Sequence, residues 1–230
     1  MHVCLFDIDG TLLNAHGAGR VAMEQTLAEL FDRSKPVKGI PTAGRTDRAI
    51  TRDLFEFHGI PDTPRNRDRL YDGYADRLAD SMHRHDSVLL PGVLNLLQEL
   101  QNRDHVQLGL LTGNFERGAW IKLRHFELDR FFAFGGFGDH FSDRNDVARS
   151  VRTLLQDDHP RSGPDPQLWV IGDTPADVVC GRAIGAHCVA VATGSVARHD
   201  LAQADPDLLF DDFSDPDALL LRIDATARSI

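Results

Sequence analysis

Two carboxylates one residue apart, Asp7 and Asp9 in the run Phe6-Asp7-Ile8-Asp9-Gly10-Thr11-Leu12, can divide covalent and acid-base work between them. Displacing an alkoxide from phosphorus through a covalent intermediate needs one group to attack and another to carry the proton. On this reading Asp7 is the nucleophile, Asp9 is the general acid and base, and a phosphoaspartate forms on the way. A turn-capping role, common for Asp beside Gly, is the alternative for the pair taken alone. Two further segments weigh against it. Thr112-Gly113-Asn114 offers a hydroxyl and backbone N–H groups just before an amphipathic stretch from Phe115 to Phe126, which makes an anion site at a helix start. Gly172-Asp173-Thr174-Pro175-Ala176-Asp177 places more acid before another helix.

Strands must carry these residues. Val3-Cys4-Leu5-Phe6 is a short continuous apolar run, read as a strand buried on both faces, with Gly10 marking the exit from it. Val106 to Leu111 and Leu168 to Ile171 are apolar strands of the same kind, ending at the Thr112 and Asp173 motifs. The later chain alternates helix (Asn145 to Leu155), strand, helix (Pro175 to Ile184) and strand (His187 to Val191), the rhythm of right-handed parallel crossovers. Leu208-Leu209-Phe210 reads as an edge strand and Asp215 to Ile223 as a closing helix.

Nearly a hundred residues separate the first strand from Thr112, and their pattern is helical. Helices are expected over Gly17 to Phe31, Arg48 to Phe57 and Pro64 to Met82, with Gly59 and Pro61 as stop signals. In the third, Leu70, Tyr74 and Leu78 make the core-facing stripe. Asp68, Asp72, Asp76 and Asp80, with Arg65, Arg69 and Arg77, read as a solvated face of i,i+3 and i,i+4 pairs. Pro91 suits a first helical turn where the main domain resumes.

The 230 residues carry a formal charge of -10, which argues against a nucleic-acid groove. No apolar run approaches the roughly twenty residues of a membrane span, no signal-peptide order is seen, and a cytoplasmic location is expected. Cys4, Cys180 and Cys188 fit buried reduced thiols. His83, His85 and His187 lack partners for a transition-metal site.

The order Asp7-x-Asp9-Gly10-Thr11, then Thr112-Gly113-Asn114, then Gly172-Asp173-x-x-x-Asp177 resembles the haloacid dehalogenase-like hydrolase superfamily in its phosphatase branch, over nearly the whole chain. An acid two residues after the nucleophile points to phosphoryl transfer rather than carbon–halogen chemistry. The resemblance implies an α/β fold, a Rossmann-like parallel sheet core (1–14 and 88–230) with an inserted helical cap (15–87), and a ligand crevice at the strand ends. It also implies a Mg2+-dependent phosphatase of small phosphorylated metabolites, similar to the phosphoglycolate phosphatase group. A phosphomutase of the beta-phosphoglucomutase type and a weakened phosphometabolite-binding protein remain alternatives.

The resemblance assigns the side chains of Asp7 and Asp173 and the backbone carbonyl of Asp9 as Mg2+ ligands. Asp177 either orients the metal site or serves its helix as the acid at the third position after Thr174, and the two roles can coexist. Thr112, Gly113 and Asn114 are expected on the phosphate oxygens, with helix capping the alternative for Thr112. Arg45, in Ala43-Gly44-Arg45-Thr46-Asp47, is the specificity candidate, unless that turn merely initiates a helix capped by Thr46 or Asp47. Phe131 to Phe137 either lines the crevice or belongs to the core.

The chain departs from the family where a Lys normally precedes the helix before the Gly172 strand. The segment runs Gly138-Asp139-His140-Phe141-Ser142-Asp143-Arg144-Asn145-Asp146, with Ser142 near the Lys position. Arg144, long and forked, is the expected replacement. Lys122 is expected not to reach, being about ten residues, roughly 15 Å, along a helix opening at Thr112.

Overall fold

The computed structural model describes residues 1–35, 39–158 and 165–227. In chain order the elements are β1 (His2–Phe6), β2 (Leu13–Asn14), α1 (Ala18–Phe31), α2 (Asp47–His58), α3 (Pro64–Arg84), β3 (Val88–Leu89), α4 (Val93–Gln101), β4 (Val106–Leu111), α5 (Glu116–His125), β5 (Gly135–Gly136), α6 (Arg144–Asp158), β6 (Gln167–Gly172), α7 (Pro175–Ala183), β7 (His187–Val191), α8 (Arg198–Gln203), β8 (Leu208–Phe210) and α9 (Asp217–Ala227). A six-stranded parallel sheet runs in the order β5-β4-β1-β6-β7-β8. The fold is therefore α/β and Rossmann-like.

Both faces of the sheet are covered, which explains the unbroken apolar strands. Cys4, Phe6, Leu108, Leu110, Trp169 and Ile171 pack on one side with α4 and α5. Val3, Leu5, Leu111, Leu168 and Val170 pack on the other against Val147, Val151 and Leu155 of α6 and Cys180 and Ile184 of α7. All three cysteines are buried and unpaired.

The chain leaves β1 for β4 on one side and later returns to β6 on the other, so the strand order reverses at β1. A crevice opens at such a reversal, beyond the carboxyl ends of the strands. Phe6 is in register with Leu110 and with Ile171, so Asp7, Leu111 and Gly172 stand level there.

The three helices expected before Thr112 form within a residue or two of their anticipated limits. A hairpin pairing Leu13 with Leu89 and Asn14 with Val88 was not anticipated, since two-residue strands show no periodicity. The Phe131 to Phe137 run divides into a 3-10 turn over Asp129–Phe131 and the edge strand β5; Phe131 and Phe132 are buried in the core.

One expectation for α3 is corrected. Among the described residues its polar face forms no i,i+3 or i,i+4 ion pairs. Asp72 and Asp76 instead bind Arg117 of α5 at 3.2 and 2.9 Å, and Arg77 pairs with Glu29 of α1. The face is solvated as expected, with Asp72 and Asp76 exposed, and the Arg117 guanidinium has the reach to bridge to it from α5.

Candidate active site

β1 ends in a tight turn. Gly10 takes φ 81°, a conformation open to glycine, and a Cβ there would lie 2.3 Å from Asp173 Oδ2. Gly194 closes on the same carboxylate, where a Cβ would sit 1.7 Å from Asp173 Oδ2. The Thr11 hydroxyl donates to Asp173 Oδ1 at 3.4 Å. These contacts seat Asp173 beside Asp7.

Asp7, Asp173 and Asp177 are all buried and offer carboxylate oxygens that lie within 4.8 Å of one another. Burial and the charges of Asp7 and Asp177 push Asp173 up to about 8, with Arg144 opposing. Burial also drives Asp7 upward, against the pull of Arg144 and a hydrogen bond from Thr112. Clustered oxygen anions out of water fit a hard divalent cation such as Mg2+, whose charge would relieve their repulsion.

Arg144, the first residue of α6, is buried and reaches Asp7 Oδ2 at 3.1 Å, with Asp177 Oδ1 and the Leu111 carbonyl on the same nitrogen. Asp177 serves two purposes, since its other oxygen accepts from the Thr174 N–H at 3.0 Å and hydroxyl at 2.7 Å. The helix-entry role anticipated for Asp177 is thus seen in its contacts with Thr174, while its other oxygen lies on Arg144.

The Thr112 motif is placed at the end of β4, but its parts act differently. The Thr112 hydroxyl oxygen accepts from Asn114 Nδ2 at 2.8 Å. Asn114 Nδ2 further donates to Asp9 Oδ2 at 2.9 Å. The Asn114 amide is thus spent on neighbouring protein groups.

Lys122 corrects the sequence reading. Its ammonium meets Asp9 Oδ2 at 2.5 Å and Asn114 Oδ1 at 2.6 Å. The helix begins at Glu116 rather than Thr112, and helical side chains lean toward the N-terminus, so a long stem two turns in returns to the helix mouth. Side-chain direction, which an axial distance ignores, was the missing signal.

The Ala43 to Asp47 turn enters the crevice. Gly44 stands against Thr174, Thr46 caps α2 through Ala49 N at 3.2 Å, and Asp47 Oδ2 accepts from Phe115 N at 2.9 Å. Arg45 lines the crevice while its guanidinium binds Asp53 at 2.6 Å and the Pro41 carbonyl at 3.0 Å. The space enclosed is about 540 Å³, with Met23, Ile50, Leu54 and Tyr74 beside the charged floor. That is room for a small metabolite.

A sequence model of haloacid dehalogenase-like hydrolases matches residues 4–191. A phosphoglycolate phosphatase of Pseudomonas syringae pv. syringae is 26% identical over 218 residues, covering 90% of this chain and 75% of that protein. Pyrophosphatase PpaX of Oceanobacillus iheyensis is 23% identical over 221 residues, covering 92% of each. In three dimensions, CbbY of Rhodobacter sphaeroides in complex with phosphate superposes with a TM-score of 0.68 at 20% identity, covering 94% of this chain and 96% of that one.

Proposed function

The chain belongs to the haloacid dehalogenase-like hydrolase family and is a phosphoric monoester hydrolase, and on that premise we propose that it dephosphorylates small metabolites through an aspartyl-phosphate on Asp7. The observation that carries this reading is the convergence of Asp7, Thr112 and Asp173 from three neighbouring strand ends. Names of the relatives, phosphoglycolate phosphatase and pyrophosphatase, agree with a small phosphorylated substrate.

Asp7 attacks phosphorus as the bond to the leaving oxygen breaks, and Asp9 delivers its proton to that oxygen. Water then attacks the phosphoaspartate, Asp9 takes the proton from it, and Asp7 is released with inorganic phosphate. Thr112 and the backbone N–H groups of Gly113 and Asn114 hold phosphate oxygens. Arg144 opposes the repulsion between nucleophile and phosphate in place of the family's Lys. Mg2+, held by Asp7, Asp173 and the Asp9 carbonyl with Asp177 behind them, would supply the charge that lets two anions meet.

Residues 15–87 act in this scheme as a cap over the core. Pairing of Asn14 with Val88 supports that division, since it brings the two crossings side by side. Arg45 shapes specificity by placing the Gly44 turn over the leaving group. Unpaired buried thiols suit a reducing cytoplasm.

A panel of phosphate monoesters assayed with and without Mg2+ tests the proposal. Release of inorganic phosphate that is abolished by chelation is expected; no turnover of any monoester would overturn it.

A further inference from the structure

Lys122 is buried, yet its carboxylate partner is not: the Asp9 side chain keeps 43% of its surface exposed at the crevice. A carboxylate so exposed has rotamers to choose from. Here it is held by two donors on one oxygen, Lys122 Nζ and Asn114 Nδ2, while Asn114 Oδ1 accepts from the same ammonium. The three side chains close a ring of hydrogen bonds, and Thr112 Oγ1 anchors it to the end of β4.

A buried ammonium is costly without compensation. Here the compensation is geometric, with Asp9 Oδ2 at 2.5 Å and Asn114 Oδ1 at 2.6 Å from the ammonium. The chain thus keeps a fixed cation on the Asp9 side of the crevice, separate from Arg144 on the Asp7 side.

Resting on the phosphatase reading above, we propose that Lys122 is a positioning residue that, with Asn114, locks the Asp9 carboxylate toward the leaving oxygen. When Asp9 gives up its proton, the carboxylate being formed already faces the ammonium. The duty of one absent lysine is then divided: Arg144 serves the nucleophile and Lys122 serves the proton carrier. Ser142, near the family's Lys position, is relieved of any charge.

Lys122→Met removes the charge at nearly constant volume. Its kcat/KM on an alkyl phosphate should fall on the order of 100-fold, the scale of general acid catalysis, while an aryl phosphate, whose leaving group needs no proton, loses less than about 5-fold. With the aryl substrate, acid quenching should trap more aspartyl-phosphate than in the parent, because the second step still needs Asp9. Lys122→Arg keeps the charge but moves the donors, and should show the same split at smaller size; it covers the case in which the Met variant fails to fold. Equal losses on alkyl and aryl substrates in a folded variant, or no loss in either, would overturn the proposal. A parent enzyme inert toward every monoester would instead remove the phosphatase reading on which it rests.

Discussion

Gly113 and Arg45 meet backbone to backbone: a Cβ on Gly113 would lie 2.0 Å from the Arg45 carbonyl oxygen. The Gly113 carbonyl also accepts from Asp47 N at 2.7 Å, and Gly138 closes on it from the other side. Glycine is required here by the approach of the α2 entrance rather than by its dihedral freedom. Gly113→Ala should force the Arg45 turn off the strand end, misplacing the crevice wall by about 1 Å and lowering kcat/KM on the order of 100-fold. Steady-state kinetics, with thermal shift to confirm folding, checks this; a near-normal rate would show that the contact is dispensable.

Asp7→Asn should abolish turnover without loss of stability. Burial, with the charges of Asp177 and Asp9, opposes ionisation of this carboxylate, and the amide removes that cost at constant volume. Arg144 retains Asp177 as its partner. The melting temperature should equal or exceed the parent's, and beryllium fluoride with Mg2+ should stabilise the parent only. An active Asn variant would exclude the covalent route.

Much of this architecture was legible because β1, β4 and β6 are buried on both faces and so appear as unbroken apolar runs ending in polar motifs. The partners of those motifs were not legible. Arg144 could be placed near Asp7 because it begins a helix in the expected segment. Lys122 could not, since counting residues along an axis omits the lean of a side chain. Asn114 carries the right type at the right place, yet only three-dimensional contacts show its amide committed to Asp9 and Thr112. Inter-helix pairs such as Arg117 with Asp76 leave no trace in local periodicity.

Acid sensitivity should arise at the opposite end of the sheet. His2 is fully buried, its Nδ1 accepts from Trp169 Nε1 at 3.1 Å, and burial, aided by the nearby N-terminal ammonium, lowers its pKa to about 4. An unfolded chain protonates the same ring at about 6.5, so the unfolded state takes up the proton first. The stability this contributes is whole above pH 6.5 and declines as pH falls toward 4, by up to about 3 kcal/mol. His2→Gln keeps an acceptor for Trp169 without titrating. Denaturant melts at pH 7 and pH 4.5 should show a smaller acid loss in the variant; parallel losses would refute the assignment.

Arg144 separates an enzyme with a replaced cation from a binding relic. One nitrogen of its guanidinium serves Asp7 and Asp177 together, so Arg144→Ala should cost on the order of 2 to 4 kcal/mol in transition-state stabilisation. It also leaves two buried carboxylates facing one another, a penalty of about 3 to 5 kcal/mol in folding for an abandoned buried partner. Arg144→Lys therefore gives the cleaner reading: it keeps the charge but has a shorter, single-point reach. It should stay folded and recover only part of the lost kcat/KM. Apparent Mg2+ affinity, read by thermal shift, should not fall in either folded variant, because taking a cation away from the carboxylate cluster cannot repel another. Near-normal rates in Arg144→Ala would mean that the nucleophile needs no fixed cation from this helix, and would leave Lys122 as the crevice's working charge.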